Sequence, residues 1–464
     1  MNGQAQIIPC KAQIIQTIGA PIVKKVILLL LVFPIIAYAQ TKQNLTETPV
    51  PADSLVDSMG VNIHMTYGDT AYANVSAVRT MLQTLGLRHV RDGGKYYPSS
   101  PAYNQYEFGA FGGLSSLGLG FDLILTYQSG MDPDPMTEAD LTALRSLAST
   151  NSVTIDSLEG PNEIDIQGDK NWVSDARSFM QSVFSANSQT TGFPKVPVLG
   201  PTLAGTSNDW GLLGNLTAYE NFGNIHPYAN TQYPSYNFAL NLANERNVSG
   251  SQTIYVTESG WSNAMKATDG SPNVTEDVSG RYVGRLFLET LLWKWPRTYV
   301  YELVDEKNDP GLTNTQDHFG LFRYDYSAKP AATVIENMVT LMSDKGYTFT
   351  PAALSYSLTT PSSSVHHLLF QKHDGSYWLA LWQEVSDWKG WNAQGSAITN
   401  PDVAVTLTLP GTASTIETYE PLNSASPLES ISNQQTVTLM VPDHPLLVKI
   451  VLVAAPTNLK VTVK

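Results

Sequence analysis

The chain predicts an α/β fold, a (β/α)8 barrel followed by a C-terminal all-β sandwich, and three observations predict it. From about residue 57 to 344, short apolar or β-branched runs alternate with helical patterns. Two of these runs end on glutamates where a loop begins, in Glu159-Gly-Pro-Asn-Glu163 and Tyr255-Val-Thr-Glu-Ser-Gly-Trp261. After residue 345 the helical patterns vanish, and alternating segments follow, separated by turn residues such as Asp374-Gly375 and Pro410-Gly411.

The strand-like runs are Gly60–Met65, Leu87–Arg91, Phe121–Thr126, Thr154–Glu159, Val196–Gly200, Phe222–Ile225, Thr253–Thr257 and Thr298–Leu303. Between them, Val75–Leu85 places Val75, Val78, Met81, Leu82 and Leu85 at helical spacing. Glu138–Leu147, Asp175–Asn187, Tyr236–Arg246 and Val278–Trp293 behave alike, and Pro330 suits the start of a helix over Ala331–Met342. Eight strand–helix units in about 285 residues is the rhythm of a closed barrel. A doubly wound sheet fits less well, because no glycine-rich phosphate loop follows the first strand.

The later segments Leu354–Leu358, Val365–Gln371, Tyr377–Trp382, Val403–Leu407, Thr415–Tyr419, Gln435–Met440 and Leu446–Leu452 read as a sandwich. The expected division is a leader at 1–39, an N-terminal linker at 40–56, the barrel at 57–344 and the sandwich at 345–464. Lys24-Lys25, the apolar run Val26–Ile36 and Ala37-Tyr38-Ala39 form a secretory signal pattern with cleavage after Ala39. That run is shorter than the roughly 20 residues of a membrane-spanning helix, so no stable span is expected after cleavage. The single cysteine, Cys10, lies in the leader, which leaves the mature chain without thiol chemistry.

A chain of 464 residues with 42% hydrophobic content has room for a large core and a second domain. Its net charge of −14 argues against a nucleic-acid partner, since nothing offsets phosphate repulsion. An acidic sugar remains compatible, held by a few local arginines.

In a barrel of this type the strand ends converge on one face, so Glu163 after strand 4 and Glu258 at the end of strand 7 meet across the mouth. Two carboxylates roughly 5–5.5 Å apart are the equipment of retaining glycoside hydrolysis, one neutral acid and one ionised nucleophile. Their proximity pushes the two pKa values apart. Glu159, inside strand 4, reads as a buried structural carboxylate paired to an arginine. His64, after strand 1, is a candidate for substrate contact. Asp305 and Glu306 read as a solvated loop, and His366-His367 as structural. Trp378, Trp382, Trp388 and Trp391 are assigned to packing. No cluster has the spacing of a zinc or calcium site, so no metal is expected.

Asn162-Glu163 after strand 4 and Glu258 at the end of strand 7 resemble clan A of the retaining glycoside hydrolases. That resemblance implies Glu163 as general acid/base and Glu258 as nucleophile, with no cofactor. It extends to Arg91 at the end of strand 2, where the clan places an arginine near the nucleophile. His226-Pro-Tyr228 after strand 6 resembles the clan's histidine and aromatic pair. The resemblance further implies a hydrogen bond from Asn162 to a sugar 2-hydroxyl and a stacking platform at Trp261. Where many members end strand 8 on tryptophan, this chain has Tyr299-Val-Tyr301-Glu302, a departure at the floor of the central sugar site. The loops match no one family: xylosidase-like, exopolysaccharide-endoglycosidase-like and glucuronidase-like alternatives stand side by side. The implied partner is a poly- or oligosaccharide; the sequence is silent on oligomeric state. Rival readings are a transglycosylase on the same site, a non-catalytic carbohydrate-binding surface protein, and an interaction module led by residues 345–464.

Overall fold

The computed structural model of the protein describes residues 41–126, 134–453 and 461–463. The leader expected at 1–39 lies outside the described residues. Among those described, no helix is long and apolar enough to cross a membrane.

The barrel strands are Met59–Asn62, His89–Gly93, Gly120–Ile124, Thr154–Glu159, Val198–Leu199, Gly223–Ile225, Ile254–Ser259 and Thr298–Val300, here called barrel strands 1 to 8. All pair in parallel, and strand 8 returns to strand 1 through Tyr299 opposite Gly60. The seam between strands 5 and 6 is a single bridge, Leu199 to Phe222, so the barrel closes. Strands 5, 6 and 8 are shorter than the sequence runs, because the residues that follow turn at once into the loops that carry the site.

Eight helices follow the eight strands: Val75–Leu85, Pro101–Gly112, Glu138–Thr150, Trp172–Gln189, Ser207–Leu213, Phe238–Ser249, Glu276–Leu292 and Pro330–Met342. The first buries Val78, Met81, Leu82 and Leu85; the Asn74 side chain caps it, and Gly86 ends it at φ +67°. Two helices escape the periodicity. Pro101–Gly112 has an inverted pattern, burying Asn104 and Glu107 with Phe108 and Phe111 while Tyr103 and Tyr106 stay outside. Ser207–Leu213 is too short for its spacing to register, and a capping box of Thr206 and Asp209 defines it instead.

The second domain is a mostly antiparallel sheet bent over its own core. Two expected segments are halves of one strand, Val403–Tyr419, whose register shifts between Thr408 and Ala413. Its first half pairs with Leu354–Thr360 and its second with Leu446–Leu452. The shift lets the sheet fold over Leu358, Leu379, Leu407, Ile416, Leu439 and Val448, the sandwich interior. The assignment of residues 40–56 to a linker is corrected here. Thr41–Glu47 pairs along its whole length with Leu354–Thr360, and Val50–Pro51 adds to Val365–Gln371. The alternating residues 41–47 have too little apolar character to announce a strand; partners three hundred residues away define it.

Barrel and sheet form one compact unit. The contact is built on helix Glu276–Leu292, which is buried on almost every face. Arg285 donates to the carbonyls of Gln383 (2.6 Å) and Val385 (2.8 Å) and to Asp387 Oδ2 (2.6 Å). Glu289 Oε1 accepts from Trp382 Nε1 at 2.7 Å and meets His366 Nδ1 at 2.5 Å. His366 and Trp382 therefore have the structural roles expected of them.

Candidate active site

The two glutamate motifs are shaped by their glycines. A Cβ on Gly160 would lie 2.5 Å from Met180 Sδ and 2.9 Å from Pro201 N, and one on Gly260 would lie 2.2 Å from the Tyr301 carbonyl. Only glycine lets the chain leave strands 4 and 7 this close to its neighbours. Glu163 itself sits in the left-handed region at φ +47°, ψ +41°. Such a conformation costs on the order of 1–3 kcal/mol and persists where the surroundings hold it. Here the Glu163 N–H donates to Thr202 Oγ1 (3.1 Å), and Gln167 Nε2 donates to the Glu163 carbonyl (3.2 Å).

The site is a cavity of about 470 Å³ at the C-terminal ends of the barrel strands. His64, Arg91, Asn162, Glu163, Tyr228, Glu258 and Trp261 all line it. His226 stands just behind this wall, its Nδ1 2.8 Å from Glu163 Oε1 and 3.6 Å from Glu258 Oε2. One oxygen of Glu163, one nitrogen of His226 and one oxygen of Glu258 lie within 4.8 Å of one another. A second such group among the described residues is His64, Glu302 and Glu306.

Arg91 is the hub. Its Nε and Nη2 grip Glu159 at 2.6 and 2.7 Å, its Nη1 donates to Glu258 Oε1 (2.6 Å) and Asn62 Oδ1 (2.9 Å), and Nη2 also donates to Asn162 Oδ1 (2.8 Å). All five N–H groups of the guanidinium are thereby used. Arg91 is thus both the arginine expected to pair with Glu159 and a residue of the site. The cost of burying this cation is large, but Glu159 and Glu258 outweigh it and hold its pKa well above the ordinary arginine value.

Tyr228 Oη donates to Glu258 Oε2 at 2.8 Å. Burial works against ionisation of Glu258. The charges of His226 and Arg91 and the hydrogen bonds from Arg91 and Tyr228 outweigh it, keeping the carboxyl below the usual carboxylate range. Glu258 is thus an anion with both oxygens held.

Around Glu163 the hydrogen bonds fix a proton instead. Thr257 Oγ1 donates its only proton to Asn224 Oδ1 (2.7 Å), so it must accept from His226 Nε2 at 3.0 Å. His226 therefore carries a hydrogen on Nε2 and turns Nδ1 toward Glu163 Oε1, 2.8 Å away.

Several wall residues were not singled out in the sequence. Tyr67 stacks on His64 with ring centroids 4.7 Å apart. Tyr301 lies 5.4 Å from the His64 ring and 5.5 Å from Phe319, and occupies the strand 8 position where tryptophan is absent. Asn62, Asp92, Gln167, Asn230, Ser262 and Gln316 add to the polar lining. The signal for Tyr301 was its place at the end of strand 8; Tyr67, Gln316 and Phe319 come from loops with no local signature. Trp261 is 4% exposed and backs onto Tyr282, ring centroids 5.1 Å apart.

The solvated-loop assignment for Asp305 is corrected. It is buried, accepts from Lys329 Nζ at 2.6 Å and lies 3.5 Å from His318 Nδ1, tying the strand 8 loop to the last helix. Its partners are distant in sequence, which is why the residue looked exposed.

No protein-family model matches the sequence, and no curated protein matches it. Among solved structures, the fold is similar to a family 39 glycoside hydrolase from the gut symbiont Bacteroides cellulosilyticus. That match has a TM-score of 0.54 and 16% identity over 86% of this chain and 82% of the other. A monomeric beta-xylosidase from Caulobacter crescentus gives 0.54 at 11% identity, covering 88% and 98%. A glucosidase from Croceicoccus marinus gives 0.55 at 10% identity, covering 81% and 92%. At these identities what is shared is the fold.

Proposed function

We propose that the protein is a secreted, retaining glycoside hydrolase that cleaves a neutral poly- or oligosaccharide through a glycosyl-enzyme intermediate. One observation carries the reading: two carboxylates face one cavity with oxygens within 4.8 Å, one pinned as an anion by Arg91 and Tyr228 and the other 2.8 Å from His226 Nδ1. Inverting hydrolysis needs roughly 6.5–9.5 Å between the carboxyl groups to admit a water, so the spacing favours retention.

In the first step Glu163 gives its proton to the glycosidic oxygen while a Glu258 oxygen attacks the anomeric carbon. The C–O bond to the leaving group breaks, and an ester to Glu258 forms. Arg91 and Tyr228 hold the nucleophile ionised and aligned until it reacts. Glu163, now a carboxylate, takes a proton from water, the water oxygen attacks the anomeric carbon, and Glu258 departs. Asn162, fixed through Oδ1 by Arg91, presents Nδ2 as the donor for the sugar 2-hydroxyl. Trp261, Tyr301 and His64 supply walls for the ring.

The charge of the sugar follows from the same geometry. Among the described residues, Arg91 is the only arginine or lysine lining the cavity, and its donors are all committed to protein acceptors. A uronate would meet Glu258 and Asp92, with every donor of Arg91 already committed to protein acceptors. The expected outcome is hydrolysis of neutral aryl glycosides with glucuronides left intact. Proton NMR of the first product decides the rest: the initial anomer keeps the substrate's configuration, and an inverted first anomer removes the proposal. Oligosaccharide products in the same spectrum would instead mark transfer to a sugar acceptor.

A further inference from the structure

The sheet domain reaches the rim of the catalytic cavity through one hairpin. Trp388–Lys389 pairs with Ser396–Ala397, and the turn between them lies against two barrel loops. Thr231 Oγ1 donates to the Gly390 carbonyl at 2.8 Å, and Gln394 Nε2 donates to the Ala267 carbonyl at 3.3 Å. Thr231 adjoins Asn230 of the cavity wall, and Ala267 belongs to the loop that contributes Trp261 and Pro272 to it. Tyr282 ties the pieces together. It backs Trp261, and its Oη donates to the Thr231 carbonyl (3.1 Å) and accepts from Asp387 N (2.8 Å) at the hairpin base.

This hairpin is rigidly made. Trp388 is 3% exposed and donates from Nε1 to the Asn392 carbonyl at 3.2 Å. Gly395 packs so closely on that indole that a Cβ would lie 2.3 Å from Nε1, and Gly390 turns at φ +123°. Yet the tip presents Trp391 at 56% exposure, while Trp378, Trp382 and Trp388 are buried as packing residues. The expectation of packing for all four fails at this one. A large indole held in water on a preorganised rim has no folding role.

We infer that Trp391 is a sugar-stacking subsite, donated by the sheet domain, that binds a neutral pyranose ring of the substrate chain beyond the bond cleaved. The occupant follows from continuity: the hairpin is docked on the loops that carry Asn230 and Pro272 of the cavity wall, so a glycan extended over that edge of the cavity meets Trp391. Aromatic faces take the C–H faces of sugar rings with little regard for hydroxyl pattern, which suits an outer position on the chain. The inference rests on the proposed glycan-binding role of the cavity and adds a residue to it.

The test uses the full chain carrying Glu258→Gln to suppress turnover, titrated calorimetrically with the di- and hexasaccharides of cellulose, xylan and laminarin. Adding Trp391→Ala is expected to lower the hexaose-to-disaccharide affinity ratio about tenfold for the glycan bound, with Trp391→Phe retaining most of it. An unchanged ratio overturns the inference, and so does a parent protein that binds no hexaose. An unchanged ratio accompanied by loss of a dimer in gel filtration would assign the tip to self-association. Turnover of aryl glycosides by wild-type protein is scored separately, so failure of the hydrolase proposal is read independently of the binding result.

Discussion

Two buried arginines divide the molecule's labour. Arg91 and Arg285 are each at most 2% exposed, and each holds a carboxylate at 2.6 Å. At the barrel mouth, Arg91 spends all five donors on Glu159, Glu258, Asn62 and Asn162, and the last three of those partners line an open cavity. At the domain contact, Arg285 grips Asp387 and two main-chain carbonyls, and the whole assembly is closed to solvent. The same chemistry thus aligns a nucleophile in one place and fastens two domains in the other. What separates them is whether the partner carboxylate has anywhere to react.

The largest effects should come from exchanging these arginines. Arg91→Lys keeps the charge but loses the planar fork, so kcat should fall by about 10²–10³ as Glu258 loses alignment. Arg285→Met strands Asp387 and two carbonyls, and should cost about 3–5 kcal/mol of stability by denaturant titration, leaving kcat of the folded fraction at the wild-type value. If Arg285→Met lowers kcat as Arg91→Lys does, the division of roles is broken.

A smaller effect isolates the anion. Tyr228→Phe removes one hydrogen bond to Glu258 and should slow kcat by about 10- to 100-fold. Because that bond helps hold the Glu258 pKa down, the acidic limb of the kcat/KM profile should move to higher pH. A limb that stays in place would detach Glu258 from that titration.

The smallest effect lies behind the mouth. Burial, with Asp92 nearby, raises the Glu107 carboxyl to about 9, and its Oε2 has no hydrogen-bond partner. A raised acid contributes fully below its unfolded value and loses that contribution as pH climbs toward the folded one. The Glu107 contribution to stability should therefore decline from about pH 4.3 upward. Glu107→Gln should match wild type near pH 5 and exceed it by about 1–3 kcal/mol at pH 8 in urea titrations. Parallel stability curves would show that Glu107 is not the buried acid.

The same contrast explains what the sequence disclosed. The barrel was legible because all eight of its strands carry β-branched or apolar runs at regular intervals and six of its helices carry apolar residues at helical spacing. Pro101–Gly112 hid because tyrosines face outward and a glutamate inward. Thr41–Glu47 hid because its partners follow three hundred residues later. At the site, Glu163, Glu258, Asn162 and Arg91 sit at strand ends, where barrel topology alone brings them together. Tyr67, Gln316 and Phe319 arrive on loops, and Arg285 lies mid-helix among apolar residues. Their roles come from tertiary contact, which no local spacing encodes.

The central claim, that Glu258 is the nucleophile and Glu163 the acid/base, is tested most directly by azide. With an activated aryl glycoside of the sugar the enzyme accepts, Glu258→Ala should be inactive alone and regain turnover in azide, yielding the glycosyl azide of inverted configuration. Glu163→Ala should yield the azide of retained configuration. Wild-type rates without azide in either variant, or a retained azide from Glu258→Ala, would contradict the account.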